Sequence, residues 1–441
     1  FIAVKNEPTI EVVRALAAKG CGGAVIYAAG FAETGNTELQ RKLLEAANGM
    51  PLMGPNCYGF VNTLSRAALW PDETGLEPVE RGVALITQSG NIACNFTMMM
   101  RGLPVAAVFS IGNQVDVGMH DMVETLSADP RISAIGLHVE GLPDVPAFAR
   151  AAALARERKV PIVALKTGRS EQGAKVAMSH TSSLAGADTL YDALFDRLGI
   201  IRVNSPSQLL ETVKFLCVAG VPKGRRLAGL TCSGGGATML ADYAERLNLT
   251  FTPPDAGTAS QLRAQLPSTA TVSNPLDYTT PIWGIPEKTR PVFDTLFAQG
   301  HDAAVIVQDY PAPGLDESKP YYRNDTLSFI AAAAVQNLPA AVCSTIPENL
   351  DEETRGFLVA QGVAPMQGIE ECMTAIAAAA WHGERRTEIA GGATLPLAVS
   401  ETMLPSRLID EAAAKKRLYA FGITVPDSRI GSGAVAPPPS S

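Results

Sequence analysis

The sequence is poor in the residue types that mark metal-bound, disulfide-linked or nucleic-acid-binding proteins. Histidine occurs five times in 441 residues and cysteine seven times. No two cysteines form a CxxC pair and the count is odd, which excludes a disulfide framework and a structural zinc site and fits a reduced, cytoplasmic protein. Charged residues make up only 18%, and 36 basic against 44 acidic side chains leave a net charge of −8 with no basic stripe, so nucleic acid is excluded as a partner. No signal peptide opens the chain and no apolar run is long enough to span a bilayer, so no membrane association is expected. An initiator methionine is lacking too. Phe1 begins inside an apolar FIAV, and the chain runs out in GSGAVAPPPSS just after a new helix begins, so a piece of a longer chain is expected.

What the chain has in quantity is apolar residues, at 46%, enough for several cores. Their rhythm is a short apolar strand, a glycine or polar turn, then an amphipathic helix, the pattern of doubly wound α/β domains. A first region has a helix near Ile10–Lys19, a strand at Gly23–Ala28, a helix near Glu38–Asn48 and the turn GPNCYGFVN; Ser65–Gly82 reads as a connector. A second region has strands at Val83–Thr87, Val105–Phe109, Ile132–Val139 and Val160–Leu165. A third has strands at Leu227–Thr231, Ala303–Val307 and Ala340–Ser344. A final segment from Leu395 begins something new, with a helix near Glu411–Phe421.

The second and third regions read as diverged copies of one unit. ALITQSGN in one answers AGLTCSGGG in the other, SAIGLHVEGLP answers AAVIVQDYP, and VPIVALKTG answers LPAAVCSTI. Only the first copy continues into RSEQGAKVAMSHTSSLAG. A segment found in one copy is not needed to build the fold, and this one lies beyond the carboxyl end of a strand, where α/β proteins place their chemistry.

That segment carries His180, among small hydroxyl and glycine neighbours that let a bulky ligand approach. It is either a solvated loop histidine or a nucleophile, and a nucleophilic imidazole must be neutral with a fixed tautomer. Glu140, at the end of strand Ile132–Val139, could accept the proton of the other ring nitrogen, or be an ordinary solvated carboxylate. Two helix starts suit an anion: Ser89, Gly90 and Asn91, and Ser233, Gly234, Gly235 and Gly236. Each follows an apolar strand and leaves backbone N–H groups at the positive end of a helix. Plain N-caps are the alternative. If the copies pack about a pseudo-twofold axis, both starts would converge on one phosphate. Gly54–Cys57, Gly112–Asn113 with Asp116, and Asn274–Asp277 are polar turns that either cap or line a cleft. His120, His138, His301 and His382 lack ligand spacing and read as structural, so no metal bound by His or Cys is expected.

Taken together, the segments GPNCYGFVN, ITQSGNIACN, SIGNQVDVGMHD, LHVEGLPD, the long block around SHTSSLAG, TCSGGGATMLADYAE and SNPLDY resemble the NDP-forming acyl-CoA synthetases, in family order along nearly the whole chain. The resemblance implies an α/β fold: a Rossmann-like CoA-binding domain over 1–80, N-terminally truncated, then two flavodoxin-like doubly wound domains over 81–222 and 223–394. Residues 395–441 would be a linker and the opening of a truncated ATP-grasp domain. It further implies an acid–thiol ligase that makes acyl-CoA, ADP and phosphate from a carboxylic acid, CoA and ATP. His180 would be the phosphoryl carrier, Glu140 its orienter, and the two helix starts the phosphate sites. Pro8, Ala29, Gly30 and Asn56 would bind CoA. ATP/ADP and Mg2+ would be held by the ATP-grasp domain of the same longer chain, and a homo-oligomer is implied. A CoA-linked lyase of the same superfamily and a non-catalytic CoA-binding paralogue are the alternatives.

Two departures stand out. Ser182 occupies the place after SHT where the family usually has glycine. The N-terminal strand and glycine-rich turn of the CoA domain are lacking, which should weaken CoA binding and, without the nucleotide domain, prevent a full ATP cycle. The acid is not specified by any motif; Phe31, Tyr278 and Trp283 either line the site of a large or aromatic acid or belong to the core.

Overall fold

The computed structural model describes residues 1–173, 188–311, 314–315, 317–392, 409–420 and 422–426. His180 and Ser182 therefore lie outside the described residues. One compact unit spans Phe1–Leu395 and a second Pro396–Ser441, in which the described helix Glu411–Ala420 starts at Asp410, whose carboxylate accepts from the Ala413 N–H at 2.7 Å.

Three sheets lie within the first unit. The smallest pairs β1 (Ala24–Val25) with β2 (Leu52–Met53) in parallel, and Ile2 bridges to Ile26 beside them. Helices α1 (Asn6–Ala18) and α2 (Thr37–Ala47) cover it, closing a core of Ile10, Val13, Ile26, Phe31, Leu43 and Leu52.

The middle sheet has seven strands. β5 (Gly82–Thr87), β6 (Val105–Ser110), β7 (Ile132–Val139), β8 (Ile162–Lys166) and β9 (Ile201–Val203) run parallel in the spatial order β6-β5-β7-β8-β9. The hairpin β3 (Gly59–Asn62) and β4 (Ala67–Leu69) adds an antiparallel edge on β6. Part of the stretch read as a connector is therefore a strand.

The distal sheet has five parallel strands: β10 (Leu227–Thr231), β11 (Leu276–Asp277), β12 (Ala303–Val307), β13 (Ala340–Ser344) and β14 (Ala364–Gln367), in the order β11-β10-β12-β13-β14. Numbered within each copy, both orders are 2-1-3-4-5, the flavodoxin-like winding. The strands that form these sheets are continuous apolar runs. Every residue of β5, β6, β7, β10, β12 and β13 is buried, as parallel strands covered on both faces require.

The two sheets share one core. Helix α7 (Pro206–Val218) packs on α13 (Ile369–Ala390) between them, and the cluster runs from Leu85 and Val213 through Leu227 to Val305, Met366 and Ile376. Each fully buried Leu, Ile or Val there contributes roughly 1.5–3 kcal/mol. A buried charge network crosses the seam. Glu211 accepts from Arg101 at 2.9 Å, from Lys214 at 2.9 Å and from the Gln367 N–H at 3.0 Å. Removing one partner of such a pair costs about 3–5 kcal/mol, because the other is left charged and buried.

Candidate active site

In a 2-1-3-4-5 sheet the winding reverses between strands 1 and 3, and ligands bind beyond the carboxyl ends there. In the middle sheet those strands are β5 and β7; in the distal sheet, β10 and β12. Helix α3 (Gly90–Thr97) opens after β5, and α8 (Gly234–Arg246) after β10. The two turns are built alike. The Ser89 N–H donates to Thr87 Oγ1 at 3.0 Å, and the Ser233 N–H donates to Thr231 Oγ1 at 3.1 Å. Both serines are extended and sit at the N-cap. Ser89 Oγ accepts from the Ile92 N–H at 3.4 Å, whereas Ser233 makes no capping bond. Ser233, Gly234 and Gly235 are exposed; Gly236 is buried, and a Cβ there would lie 2.7 Å from Thr231 Oγ1.

Glu140 leaves the end of β7 beside the α3 turn. Gln88 Oε1 accepts from the Glu140 N–H at 2.5 Å and the Gly141 N–H at 3.1 Å, while its amide donates to the Gly141 carbonyl at 3.0 Å. One side chain thus fixes the Glu140 backbone to the residue preceding Ser89. Below it, His138 is buried with its ring nitrogens 2.9 Å from Thr87 Oγ1 and 3.3 Å from Thr167 Oγ1, tying the ends of β5 and β8 across β7. Burial, with the nearby Lys166 ammonium, pushes its pKa down to about 4, so it is neutral near pH 7.

The segment bearing His180 has both described flanks at the carboxyl edge of β8. Arg169 on one flank pairs with Asp188 on the other at 3.3 Å, and Arg202 on β9 also holds Asp188. Lys166, the last residue of β8, is buried; its ammonium donates to the Thr167 carbonyl and sits 4.7 Å from the Tyr191 ring centroid. Desolvation lowers its pKa, against the attraction of Asp188 and Glu140. Tyr191 Oη in turn accepts from the Leu142 N–H at 3.2 Å, joining Lys166 to the loop that carries Glu140.

A cavity of about 620 Å³ connects the small sheet to this edge. Ala29, Asn56 and Tyr58 border it on one side and Gly90 and Asn91 on another, with Lys5 and Asn6 from the start of α1. Its floor is shaped by tight backbone. Asn56 adopts a left-handed conformation (φ 57°), and its N–H donates to the Ala28 carbonyl at 2.9 Å. A Cβ on Gly112 would lie 2.3 Å from the Pro55 carbonyl oxygen, so the GPNC and Gly112–Asn113 turns meet only because residue 112 is glycine. Asn56 Nδ2 lies 3.4 Å from Asn113 Oδ1, and Asn113 donates to Glu33 at 2.5 Å. Cys57 is buried, and desolvation pushes its thiol up to about 12, so it is no nucleophile. Asn6 donates to the Gly30 carbonyl at 2.9 Å, which positions Gly30 behind the cavity wall; Pro8 is exposed on α1. Ser233–Gly236 do not line this cavity.

Residues 80–216 match the succinyl-CoA ligase like flavodoxin domain. The ADP-forming acetate–CoA ligase of Methanocaldococcus jannaschii is 35% identical over 280 residues, covering 63% of this chain and 39% of the relative. The alpha subunit of ADP-forming acetate–CoA ligase II from Pyrococcus furiosus is 34% identical over 266 residues, 59% of this chain and 57% of the relative. A trans-feruloyl-CoA synthase from an unknown prokaryotic organism is 30% identical over 448 residues, covering 99% of this chain and 62% of the relative. The chain is similar to ADP-forming CoA ligases over more than half of its length. It spans 39% and 57% of the first two of these relatives' own lengths. Its fold also matches the Ca. Korarchaeum cryptofilum dinucleotide forming acetyl-coenzyme A synthetase 1 in complex with phosphate and ADP, with a TM-score of 0.77 at 24% identity over 90% of this chain and 84% of that one.

The structure brings Ala29, Asn56, Gly90 and Asn91 to one cavity and joins Glu140 to the same turn through Gln88. Gln88, His138, Lys166, Tyr27 and Tyr58 were not singled out as site residues in the sequence. Lys166 has a signal in hindsight: a lysine closing an otherwise apolar run, VPIVALK, is an unusual choice for a buried strand. Of the two readings open for Phe31 and Tyr278, the structure gives the core. Phe31 is wholly buried in the core beneath α1 and α2, and Tyr278 is wholly buried with its hydroxyl donating to Asp325 at 2.8 Å. Trp283 packs on Tyr321 and Tyr322 at 5.3 and 4.9 Å. Among the described residues no group of three or more His, Cys, Asp or Glu side chains could hold a metal ion, and no helix is long and apolar enough to cross a membrane.

Proposed function

We propose that this chain is the acyl-transferring part of an ADP-forming acyl-CoA synthetase working through a phosphohistidine at His180. The observation that carries the reading is the single cavity bordered by both the expected CoA residues, Ala29 and Asn56, and the α3 helix start at Gly90 and Asn91. A thiol held on one side can reach an acyl phosphate whose phosphate rests on the N–H groups of the other.

The reaction runs in three transfers. ATP, bound by the nucleotide domain expected in the longer protein, phosphorylates His180. A carboxylate oxygen of the acid attacks phosphorus, the P–N bond breaks, and its electrons return to the imidazole. The CoA sulfur then attacks the acyl carbon, the C–O bond to phosphate breaks, and the thiol proton leaves with phosphate or solvent. Glu140 accepts the hydrogen bond of the second ring nitrogen and fixes the tautomer; Gln88 and the neutral His138 hold its backbone and strand in place. The helix starts at Ser89 and Ser233 stabilise the phosphoryl group by position and charge. The acetate ligases and the feruloyl-CoA synthase among the relatives make short and aryl acids the two classes to assay first.

The test is phosphorylation of the protein, together with its nucleotide-binding domain, by γ-labelled ATP. An acid-labile, base-stable label that disappears in His180→Ala is expected. Absence of label in the unmodified protein sinks the phosphohistidine.

A further inference from the structure

The cavity between the small sheet and α3 has walls of very different kinds. Ala3, Ala28, Ala29 and Gly90 are small, and Asn6, Asn56 and Asn91 are polar. Its two large carbon surfaces are the rings of Tyr27 and Tyr58, set edge to face with centroids 5.5 Å apart. The pair is part of a longer row: Tyr27 continues to Phe1 at 6.0 Å, and Tyr58 to Trp70 at 5.5 Å. Tyr27 remains 38% exposed, so its face is not consumed by the core.

Tyr58 is held where it matters. A Cβ on Gly90 would approach its ring to 2.3 Å, so the ring lies directly on the first residue of α3, and its own N–H is anchored on Ser110 Oγ at 3.1 Å. The ring therefore flanks the helix start whose N–H groups would receive the phosphate. A group bonded to that phosphate and directed into the cavity would lie beside the Tyr58 ring, with Tyr27 next to it. An acetyl group would leave both rings facing water. A planar aryl group would bury against them and meet the edge-to-face geometry that aromatic pairs favour. The volume of about 620 Å³ lies within the range of sites for drug-sized ligands.

We propose that Tyr27 and Tyr58 are the acid-selecting wall of this site and that the acid is an aryl carboxylate whose ring packs against the pair. This rests on the cavity being where acyl phosphate and CoA meet. The tyrosines touch the acyl group and do not touch CoA.

The test is calorimetric titration of the longer protein, with the complete CoA-binding domain expected there, with CoA, acetyl-CoA and cinnamoyl-CoA. The unmodified protein should bind cinnamoyl-CoA roughly tenfold more tightly than acetyl-CoA, the scale of one or two added aromatic contacts. In Tyr58→Leu, and separately in the half-exposed Tyr27→Ser, that preference should shrink to within about twofold while affinity for CoA itself is kept. Equal affinity of the unmodified protein for the two thioesters overturns the aryl assignment and leaves the CoA reading standing. Equal weakening of CoA and both thioesters in the variants also overturns it, because the tyrosines would then serve CoA. Failure of the folded protein to bind CoA removes the underlying reading and this one with it.

Discussion

At the carboxyl end of the third strand, the middle sheet carries Glu140 and the distal sheet carries Asp309, in otherwise matching positions. Asp309 is tied into its own scaffold: it accepts from the Thr345 N–H at 2.8 Å and the Thr345 hydroxyl at 2.7 Å, with Asn349 at 3.3 Å. At Glu140 the N–H is held by Gln88, and the half-buried residue lies close enough to Lys166 for its charge to favour the ammonium. After the fourth strand the same contrast recurs. β13 passes through Thr345 almost directly into its next elements, whereas β8 ends in the buried Lys166 and leads into the segment that carries His180. The two matching switch points differ in what they hold: the distal one binds Asp309 to Thr345 and Asn349, and the middle one gathers Gln88, His138 and Lys166 around the strand end that carries Glu140.

Exchanging the charge of each carboxylate tests this division most severely. Glu140→Gln should slow phosphoryl transfer by roughly 10²–10⁴-fold, the usual weight of a positioned acid–base partner. Asp309→Asn should leave that rate within about twofold and instead destabilise the fold by about 1–3 kcal/mol, since the Thr345 donors lose their charged acceptor. Rates of labelling and denaturant unfolding of both variants measure the two effects. Equal losses of rate would erase the distinction between the copies.

One buried titratable group from each half, His138 and Asp325, should respond to pH with opposite signs. His138 in the middle sheet has a folded pKa of about 4 against an ordinary value near 6.5. The unfolded chain binds its proton first, so stability is lost as pH falls from about 6.5 towards 4, by up to roughly 3 kcal/mol. Asp325, packed against the distal sheet, has its pKa raised to about 6 by burial, opposed by the Tyr278 hydroxyl. Its contribution is present below about 3.8 and is lost as pH rises through 6, again by up to roughly 3 kcal/mol. His138→Gln should therefore flatten the acid side of the stability profile. Asp325→Asn should make the protein gain stability, relative to the unmodified chain, between pH 4.5 and 7. Unfolding free energies across that window, measured by denaturant, decide the signs; slopes of the same sign would break the contrast.

Much of the scaffold was legible because parallel strands announce themselves. Ile132–Val139, Leu227–Thr231, Ala303–Val307 and Ala340–Ser344 were bounded to the residue by apolar runs ending in turn residues. The short strands β3, β4, β9, β11 and β14 were not, since segments of two to four residues owe their form to the neighbours they pair with. Helix Ile369–Ala390 was missed although its 22 residues contain no proline; its alanine-rich middle is buried on most sides and shows no polar face to set a period. At the site, the two helix starts were readable from strand, serine and glycine in succession. The cavity was not, because it joins residues 3–6, 27–29, 56–58 and 90–91, which only the packing of the small sheet on α3 brings together. Tyr27 therefore reads as an ordinary member of an apolar strand and Tyr58 as part of a turn, while Phe31 and Tyr278 are core and Trp283 packs half-buried against it.

The smallest effect separates the two helix starts. Ser89 caps its own helix, at the long distance of 3.4 Å, so Ser89→Ala should cost about 0.5–1 kcal/mol. Ser233 makes no capping bond, so Ser233→Ala should change stability by less than about 0.5 kcal/mol. The uncapped start leaves its first N–H groups without a side-chain acceptor of their own N-cap residue, which favours an external anion there. Ser233→Asp supplies that acceptor from within: it should stabilise the helix by a few tenths to about 1 kcal/mol and weaken phosphate binding, because a fixed carboxylate then competes for the same donors. Phosphate titrations of Ser233→Asp against Ser233→Ala read this directly. If the aspartate variant binds phosphate as well as the alanine variant, the distal helix start is scaffold like Asp309, and phosphate is held on the middle sheet alone.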